Sequence, residues 1–340
     1  MPTDSPAPPP DAQLAQLIFG KCVTMALAVA AKLRAADKLA AGPKSVADLA
    51  GETNTHAPSL YRVMRALASV GVFAEQPDGR FAQTPMSEFL RTGVHGSMRG
   101  MADFLGAEWC WRPMGQLMHS VRTGQTAFDH VYGEGCFDYL AKHPDESAAF
   151  NEGMTGFSTA IGAAVADAYD FSSIGTIVDV GGGHGVLLAT VLKKYPELKG
   201  VVFDAPHVVE GATEPIRAAG LSDRYRTAGG DFFKAVPAGG DAYLMKHIIH
   251  DWPDDKATTI LKNCRAAANP GAKLLLVEAV IRPGNEPDFG KILDLEMLTG
   301  PSGRERTEAE YAALLAGAGW KLARVVPTKS PVQVVEGVSV

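Results

Sequence analysis

The sequence predicts an α/β protein in which a mainly helical N-terminal region precedes an open, largely parallel sheet. From about Ile174 onward, short apolar runs of strand type alternate with helical segments, a pattern typical of a parallel sheet covered by helices on both faces. Before that residue, apolar positions recur at helical spacing. A chain of 340 residues is long enough to form two domains, each with its own core.

The composition is that of an ordinary globular protein and disfavours several classes of protein. A net charge of −6 argues against a nucleic-acid binder that relies on Lys and Arg meeting phosphate. The four cysteines are far apart, so neither a zinc motif nor a disulfide framework is predicted. Lys, Asp or Pro interrupts each apolar stretch before about 18 residues, so no membrane span is expected. The Pro-rich residues 1–10 indicate a disordered tail instead of a signal peptide, and we expect a cytoplasmic protein.

Residues 11–165 are predicted to be mainly helical. The segment 15–39 is so uniformly apolar that we expect burial on several sides, as at a subunit interface. Ser45 is a candidate N-cap for the next helix, and a further helix is followed by a hairpin that turns at Asp78-Gly79. Two helices and a hairpin form a winged-helix-like arrangement.

A winged helix suggests DNA binding as one function for this region. The second helix carries Arg62 and Arg65, but no dense basic patch accompanies them and the chain is acidic. We therefore favour dimerisation, with a second copy of the chain as the partner.

The strand-type runs of the second half define the sheet in order. They are TIVDV, KGVVFD, DAYLMK, AKLLLVEAV, WKLARVV and VQVVEGV. Helical segments lie between most of them, among them VVEGATEPIRAAG (208–220) and DKATTILKNCRAAANPG (255–271). Only PTKSP separates the last two runs, so we expect an antiparallel hairpin at one edge of the sheet.

The segment VDVGGGHGV, residues 178–186, places a glycine loop directly after the first of these strands. Ligands bind outside the carboxyl ends of such strands. The spacing is GxGxG, with Val186 where dinucleotide folds have a third glycine. Asp179 would repel a pyrophosphate but could pair with an ammonium group, as in S-adenosylmethionine. The loop therefore favours S-adenosylmethionine over NAD, although Asp179 could instead be a capping residue.

Acidic residues also follow the next two strands. Asp204 ends VVFD and is placed to accept both ribose hydroxyls, as in dinucleotide enzymes. Asp231 and Phe232 in GGDFF could bind an adenine amino group and cover the ring, or they could form a simple Asp turn with buried phenylalanines. Three acids at successive strand ends indicate a nucleoside site more strongly than any one of them.

The segment LMKHIIHDWPDD supplies a candidate base at the same edge of the sheet. Lys246 ends the run DAYLMK and His250 follows in the loop. His247 and His250 share a face only on a helix, and no cysteine or further histidine lies nearby, so a metal pair is disfavoured.

Two carboxylates accompany this histidine in the candidate site. Glu278 lies at the end of the strand in AKLLLVEAV, where the alternative is a solvated strand end. Glu305 lies between Arg304 and Arg306, where the alternative is a surface ion pair with either arginine.

The motifs VDVGGGHG, VVFDAP, GGDFF, KHIIHDW and SGRERT, in this order, resemble those of S-adenosylmethionine-dependent O-methyltransferases of the caffeic-acid type, which include bacterial natural-product tailoring enzymes. The resemblance covers nearly the whole chain after the tail, including FNEGM at 150–154. It implies a Rossmann-like methyltransferase sheet over residues 166–340, and a winged-helix-like dimerisation and substrate-lid domain over 11–165.

The resemblance also implies a reaction and roles for individual residues. A hydroxyl group, phenolic in a small aromatic or polyketide-like metabolite, would be methylated without a metal. The catalytic residues would be a base, His250, flanked by Glu278 and Glu305. The cofactor-binding residues would be Asp179, Gly181, Gly183, Gly185, Asp204, Asp231, Phe232 and Lys246. The acceptor-binding residues would be Phe150, Met154, Trp252 and Met297.

Three alternatives remain open from the sequence. They are a winged-helix regulator that senses S-adenosylmethionine, an N-methyltransferase on the same fold, and an NAD-dependent oxidoreductase. Val186 disfavours the oxidoreductase.

Overall fold

The computed structural model describes residues 8–212, 216–217 and 219–340. Most of the predicted tail, and part of the helix predicted over 208–220, lie outside the described residues. The chain divides into two compact units, one ending at Trp111 and including Ala148–Gly156, the other formed by Arg112–Ser147 and Phe157–Val340.

The first unit contains the predicted order of two helices and a hairpin. Its elements are α1 (Pro10–Lys32), α2 (Ala35–Lys38), α3 (Val46–Thr53), α4 (Ala57–Ser69), β1 (Phe73–Glu75), β2 (Phe81–Gln83), α5 (Pro85–Glu88) and α6 (Arg99–Leu105). The Ser45 hydroxyl accepts a hydrogen bond from the Asp48 N–H, which confirms the predicted N-cap of α3. Strands β1 and β2 pair antiparallel, and Gly79 at their turn has a φ of +79°.

The two halves of helix α1 are packed differently. Its second half packs on α4 and α6, and its buried residues are small alanines. In its first half, four large side chains are 58–79% exposed: Leu14, Leu17, Ile18 and Phe19. Within one chain no described element of the unit covers this half, so its burial at a subunit interface stays a prediction.

Helix α1 corrects the expectation about membrane spans. By length and composition it is the one helix in the described part of the chain that could cross a membrane. A single lysine, Lys21, stands among its apolar residues between 12 and 31, too little charge to interrupt the stretch. A core helix or an interface helix has the same composition, so this observation is weak evidence for a membrane.

Five helices connect the hairpin region to the sheet. They are α7 (Glu108–Met114), α8 (Leu117–Thr123), α9 (Ala127–Tyr132), α10 (Cys136–Lys142) and α11 (Pro144–Ala168). The predicted domain boundary after residue 165 falls near the end of α11, and both α7 and α11 contribute residues to both units.

The second unit is built on a seven-stranded sheet. Its strands are β3 (Thr176–Val180), β4 (Lys199–Asp204), β5 (Tyr225–Gly229), β6 (Gly240–Lys246), β7 (Ala268–Glu278), β10 (Trp320–Pro327) and β11 (Gln333–Ser339). Two further strands, β8 (Val280–Ile281) and β9 (Arg306–Thr307), form a separate parallel pair. The helices of this part are α12 (Val186–Lys194), α13 (Pro206–Val209), α14 (Asp254–Ala267), α15 (Phe289–Thr299) and α16 (Glu308–Gly317).

The strand order is β10-β11-β7-β6-β3-β4-β5. Strands β3 to β7 pair parallel, while β11 pairs antiparallel with both β7 and β10. The predicted hairpin at the sheet edge is therefore confirmed. The order reverses between β3 and β6, and ligands of such sheets bind outside the carboxyl ends of the strands at this point.

One element boundary differs from the sequence prediction. The helical pattern was expected to continue to Gly271, but α14 ends at Ala267 and β7 begins at Ala268. Pro270 explains the early end, because proline interrupts a helix and disfavours helical geometry at the residue before it.

Apolar side chains of the central strands and of α14 and α16 form the core of the second unit. This core fixes the strand ends on which the polar site residues lie.

Candidate active site

The loop after β3 is shaped by glycines in the left-handed region. Gly181, Gly183 and Gly185 have φ values of +70°, +56° and +71°, a conformation that costs little only for glycine. A Cβ atom at Gly181 would overlap the Ile248 side chain. The loop after β3 and the loop after β6 therefore meet at the point where the strand order reverses.

Asp179 lies beneath this loop and is 2% exposed. A Cβ atom at Gly182 would be 2.8 Å from its carboxyl group, so the loop backbone covers the side chain. Burial raises the pKa of Asp179 to about 7, and the Lys246 charge opposes that rise. Its Oδ2 has no hydrogen-bond partner among the described residues. An unpaired buried oxygen costs about 1–3 kcal/mol, so this site fits a ligand that brings a donor such as an ammonium group.

The side chain of Asp204, at the end of β4, binds the backbone of the glycine loop. Its Oδ2 accepts a hydrogen bond from the Gly183 N–H at 2.8 Å, and its Oδ1 accepts one from the Ala205 N–H at 2.7 Å. Each carboxylate oxygen can accept a second bond, so Asp204 retains capacity for ribose hydroxyls.

Lys246 ends β6 between these acids and the histidine loop. Burial lowers the pKa of its ammonium group, and the charges of Glu278, Asp179 and Asp251 act in the opposite direction. Lys246 thus supplies positive charge to a region that otherwise concentrates carboxylates.

Asp231 and Phe232 form a turn after β5. The Asp231 Oδ1 accepts a hydrogen bond from the Phe233 N–H at 2.9 Å, and the Phe232 ring packs edge-on against Phe233 and Trp252. The simple Asp turn considered for this segment is present. A role of Asp231 and Phe232 in adenine binding stays a prediction.

His250 lies in a 3-10 turn, Ile249–Asp251, after β6 and is 5% exposed. Its Nδ1 is 2.5 Å from Glu305 Oε1 and 3.7 Å from Glu278 Oε2. Both glutamates therefore lie on the Nδ1 side of the ring. A Nδ1–H bonded to Glu305 leaves Nε2 as the nitrogen that can accept a proton.

The two glutamates are buried and anchored to backbone groups. Glu278 Oε1 accepts hydrogen bonds from the N–H groups of Ile248 and Ile249, and burial raises the pKa of Glu278 to about 7. The backbone N–H of Glu305 donates to Asp294 Oδ1 at 2.7 Å, and burial raises the pKa of Glu305 to about 8.

This geometry excludes the structural alternatives considered for both glutamates. Glu278 and Glu305 are 0% and 1% exposed, so neither is a solvated strand end or a surface ion-pair residue. Arg304 pairs with Glu310, and Arg306 pairs with Asp254.

His250, Glu278 and Glu305 each offer a metal-ligand atom, and these atoms lie within 4.8 Å of one another. Two atoms bound to one zinc ion, each at about 2 Å, lie about 3 Å or more apart. The distance of 2.5 Å between His250 Nδ1 and Glu305 Oε1 is shorter and instead fits a shared proton.

Two further residues of this site were assigned no role from the sequence. Asp251 Oδ1 lies 3.5 Å from His250 Nε2, and burial raises the pKa of Asp251 to about 7. His247 has a φ of +53°, and its ring stacks on both Phe157 and His250. Burial lowers the pKa of His247 well below its usual value, so a neutral ring covers one face of His250.

The predicted acceptor-binding residues divide between the two units. Trp252 packs between Phe233 and Phe137, and Met297 is buried in α15, all within the second unit. Phe150 packs against the Phe104 and Trp109 rings of the first unit, and Met154 is half-buried in α11. Their contact with an acceptor stays a prediction.

Residues 114–321 match a family described as the O-methyltransferase domain, and residues 15–93 match the O-methyltransferase dimerisation domain. The chain belongs to this O-methyltransferase family. It is an S-adenosylmethionine-dependent enzyme, and the predicted fold class and cofactor are confirmed.

Close relatives cover almost the whole chain. The phenazine O-methyltransferase of Lysobacter antibioticus is 46% identical over 95% of this chain and 94% of its own length. A solved structure described as LaPhzM has a TM-score of 0.94 at 45% identity, covering 98% of this chain and 100% of its own. An O-methyltransferase from neocarzinostatin biosynthesis, solved with S-adenosylmethionine and 2-hydroxy-5-methyl naphthoic acid, has a TM-score of 0.79 at 35% identity, covering 93% and 96% of the two chains.

Other members of this O-methyltransferase family differ in their chemistry. An 8-amino-8-demethylriboflavin N,N-dimethyltransferase of Streptomyces davaonensis is 35% identical over 98% of this chain and 97% of its own length. Aclacinomycin 10-hydroxylase of Streptomyces purpurascens is 36% identical over 94% and 87%. Family membership overturns the NAD-dependent and regulator alternatives. It does not decide whether the methyl group goes to an oxygen or a nitrogen atom of the acceptor.

Proposed function

We propose that this enzyme methylates a phenolic hydroxyl of a small aromatic or polyketide-like metabolite, with His250 as general base and without a metal ion. The observation that carries the proposal is the buried hydrogen bond between His250 Nδ1 and Glu305 Oε1, at 2.5 Å. It orients the imidazole and leaves Nε2 to accept a proton.

S-adenosylmethionine, when bound, supplies an activated methyl group and leaves as a neutral sulfide. We assign Asp179 to its ammonium group, because the unpaired Oδ2 is buried. We assign Asp204 to the ribose, Asp231 and Phe232 to the adenine, and Lys246 to the charge balance of the site. Gly181, Gly183 and Gly185 let the loop backbone approach the nucleoside.

His250 would take the hydroxyl proton at Nε2 as the oxygen–carbon bond forms. General-base catalysis of this kind contributes about 10²- to 10⁴-fold to the rate. The imidazolium that forms would be stabilised by Glu305 through Nδ1 and by Glu278 at 3.7 Å, as the acid of a catalytic triad stabilises its histidine.

An aromatic acceptor is supported by the relatives and by the aromatic residues of this chain. The named relatives act on, or bind, phenazine and naphthoic-acid compounds. We assign acceptor contacts to Phe150, Met154, Trp252 and Met297. N-methylation is the second candidate, favoured by the riboflavin-type relative, and an amine acceptor needs less help from a base.

The test is incubation of the enzyme with labelled S-adenosylmethionine and matched panels of hydroxylated and aminated aromatics, with products identified by mass spectrometry. On the best phenol, His250→Ala should lower kcat about 10²- to 10⁴-fold and leave cofactor affinity, measured by calorimetry, unchanged. Transfer to amines only, or an unaltered kcat in His250→Ala, would contradict the proposal.

We further propose that residues 11–165 form a homodimerisation and substrate-lid domain and residues 166–340 the catalytic domain of a cytoplasmic enzyme. The exposed apolar face of α1 and the match to a dimerisation domain support the dimer. Leu17→Glu should shift the protein from dimer to monomer in sedimentation. If the Leu17→Glu protein still sediments as a dimer, α1 does not form the dimer interface. As a separate test of the DNA-binding alternative, a gel shift with genomic DNA should show no binding.

A further inference from the structure

Residues 303–306, here called the Glu305 segment, lie against the turn that carries His250. The Arg304 N–H donates a hydrogen bond to the His250 carbonyl oxygen at 2.8 Å. A Cβ atom at Gly303 would overlap that same oxygen. The two backbones therefore touch directly, and only glycine leaves room for this contact.

Arg306 extends the contact to both sides of His250. Its guanidinium group is buried, with 1% of the residue exposed. Nη1 donates to the Ile249 carbonyl at 3.1 Å, and Nη2 donates to the Trp252 carbonyl at 2.9 Å. Nη2 also bonds Asp254 Oδ1 at 2.7 Å. One planar group thus spans the carbonyls that precede and follow the His250–Asp251 pair.

We infer that Arg306 is a positioning residue for methyl transfer, which together with Gly303 holds the His250 turn at a fixed distance from Glu305. This inference rests on the proposed role of His250 as base. Glu305 itself is anchored from the other side, since its N–H donates to Asp294. Both partners of the His250–Glu305 bond are therefore fixed through their backbones.

The geometry requires an arginine in this position. A guanidinium presents several N–H donors in a rigid plane, whereas a lysine ammonium is a compact group on a flexible stem. Lysine would keep the charge beside Asp254 but could not bind the carbonyls of Ile249 and Trp252 in the same way. Displacing a catalytic group by about 1 Å can lower a rate about 10²-fold, so a small relaxation of the turn is enough to be measured.

The sequence offers a matched control two residues away. Arg304 is half-exposed and its side chain pairs with Glu310, away from the carbonyls of the turn. We expect Arg306→Lys to lower kcat about 10- to 100-fold at saturating substrates, with the KM for the acceptor and the cofactor affinity little changed. Arg304→Lys should retain the wild-type kcat. Asp254→Asn, which removes only the exposed partner of Arg306, should also retain it.

A double-mutant cycle distinguishes positioning from general destabilisation. If Arg306 acts through His250, the double variant Arg306→Lys, His250→Ala should have the same residual rate as His250→Ala alone. An equal loss in both backgrounds, or a wild-type kcat in Arg306→Lys, would overturn the inference. If Arg306→Lys does not fold, Arg306→Gln takes its place in the cycle, because its amide can still donate to one of the two carbonyls, and the same pattern is expected. An unaltered rate in His250→Ala alone would refute the proposed base, an outcome independent of any Arg306 result.

Discussion

The loop after β3 and the loop after β6 leave neighbouring strands, and the buried acids beside them are held differently. Asp179 lies beneath a glycine backbone, and its Oδ2 has no hydrogen-bond partner among the described residues. Beside the second loop, Glu278 Oε2 and Glu305 Oε2 are also without a partner, but each glutamate is fixed through its other oxygen, Glu278 on backbone N–H groups and Glu305 on His250. An unpaired oxygen alone therefore does not mark a ligand site, and the glutamates differ from Asp179 in the bonds that fix their orientation.

The largest expected effect comes from removing the charge that orients the base. Glu305→Gln should lower kcat about 10²- to 10⁴-fold, because glutamine keeps an oxygen near Nδ1 but carries no negative charge to stabilise the imidazolium. Glu310→Gln is the matched control, since Glu310 is half-exposed and glutamine can keep its capping bond to the Thr307 N–H. Steady-state kinetics measure both variants, and a loss of only a few-fold in Glu305→Gln would show that the two loops do not differ in this way.

A variant at Asp204, which binds the backbone of the loop after β3, is expected to lose affinity for the cofactor. Asp204→Asn removes a charged acceptor that orders Gly183 and Ala205, and hydrogen bonds to charged groups contribute about 1.5–3 kcal/mol. Calorimetry should show affinity for S-adenosylmethionine about 10- to 100-fold weaker, with kcat at saturating cofactor little changed. Asp167→Asn, at an exposed ion pair with Lys194, should bind normally. A selective loss of kcat would mean that Asp204 does not serve binding.

The pH dependence of cofactor binding tests the unpaired carboxyl of Asp179. Its pKa is raised to about 7 by burial, so the free enzyme carries a proton there below that pH. An ammonium group favours the ionised form, so binding releases the proton. Affinity should weaken as pH falls below about 7, by up to tenfold per pH unit.

Asp179→Asn provides the control for this pH experiment. Calorimetry between pH 5.5 and 8 should give a flatter profile for the variant, with weaker binding at the upper end. Asp204 and Lys246 also lie close enough to influence Asp179, and both remain in the variant. A profile with the same slope in both proteins would assign the titration to another group.

The smallest effect is expected from chelation. The 2.5 Å separation of His250 Nδ1 and Glu305 Oε1 fits a shared proton, so incubation with EDTA should leave kcat unchanged. Activity that EDTA abolishes and zinc restores would place a metal among His250, Glu278 and Glu305.

The sequence predicted the sheet, the edge hairpin and the N-cap at Ser45, because strand patterns, short connections and capping residues act locally. The exposed half of α1 could not be predicted, since burial depends on what covers a helix. The contacts of Arg306 with Ile249 and Trp252 join segments more than 50 residues apart, and no local pattern encodes them. The left-handed backbone at His247 could not be predicted either, since only a few per cent of non-glycine residues adopt it.

The contact between Gly181 and Ile248 ties the two loops together at one position. A methyl group added at 181 would need the space that Ile248 fills, and the left-handed backbone there would strain it even beside a smaller residue. Attempts to redesign the nucleoside pocket therefore have to keep glycine at 181, because a change at 248 relieves the overlap but not the backbone strain.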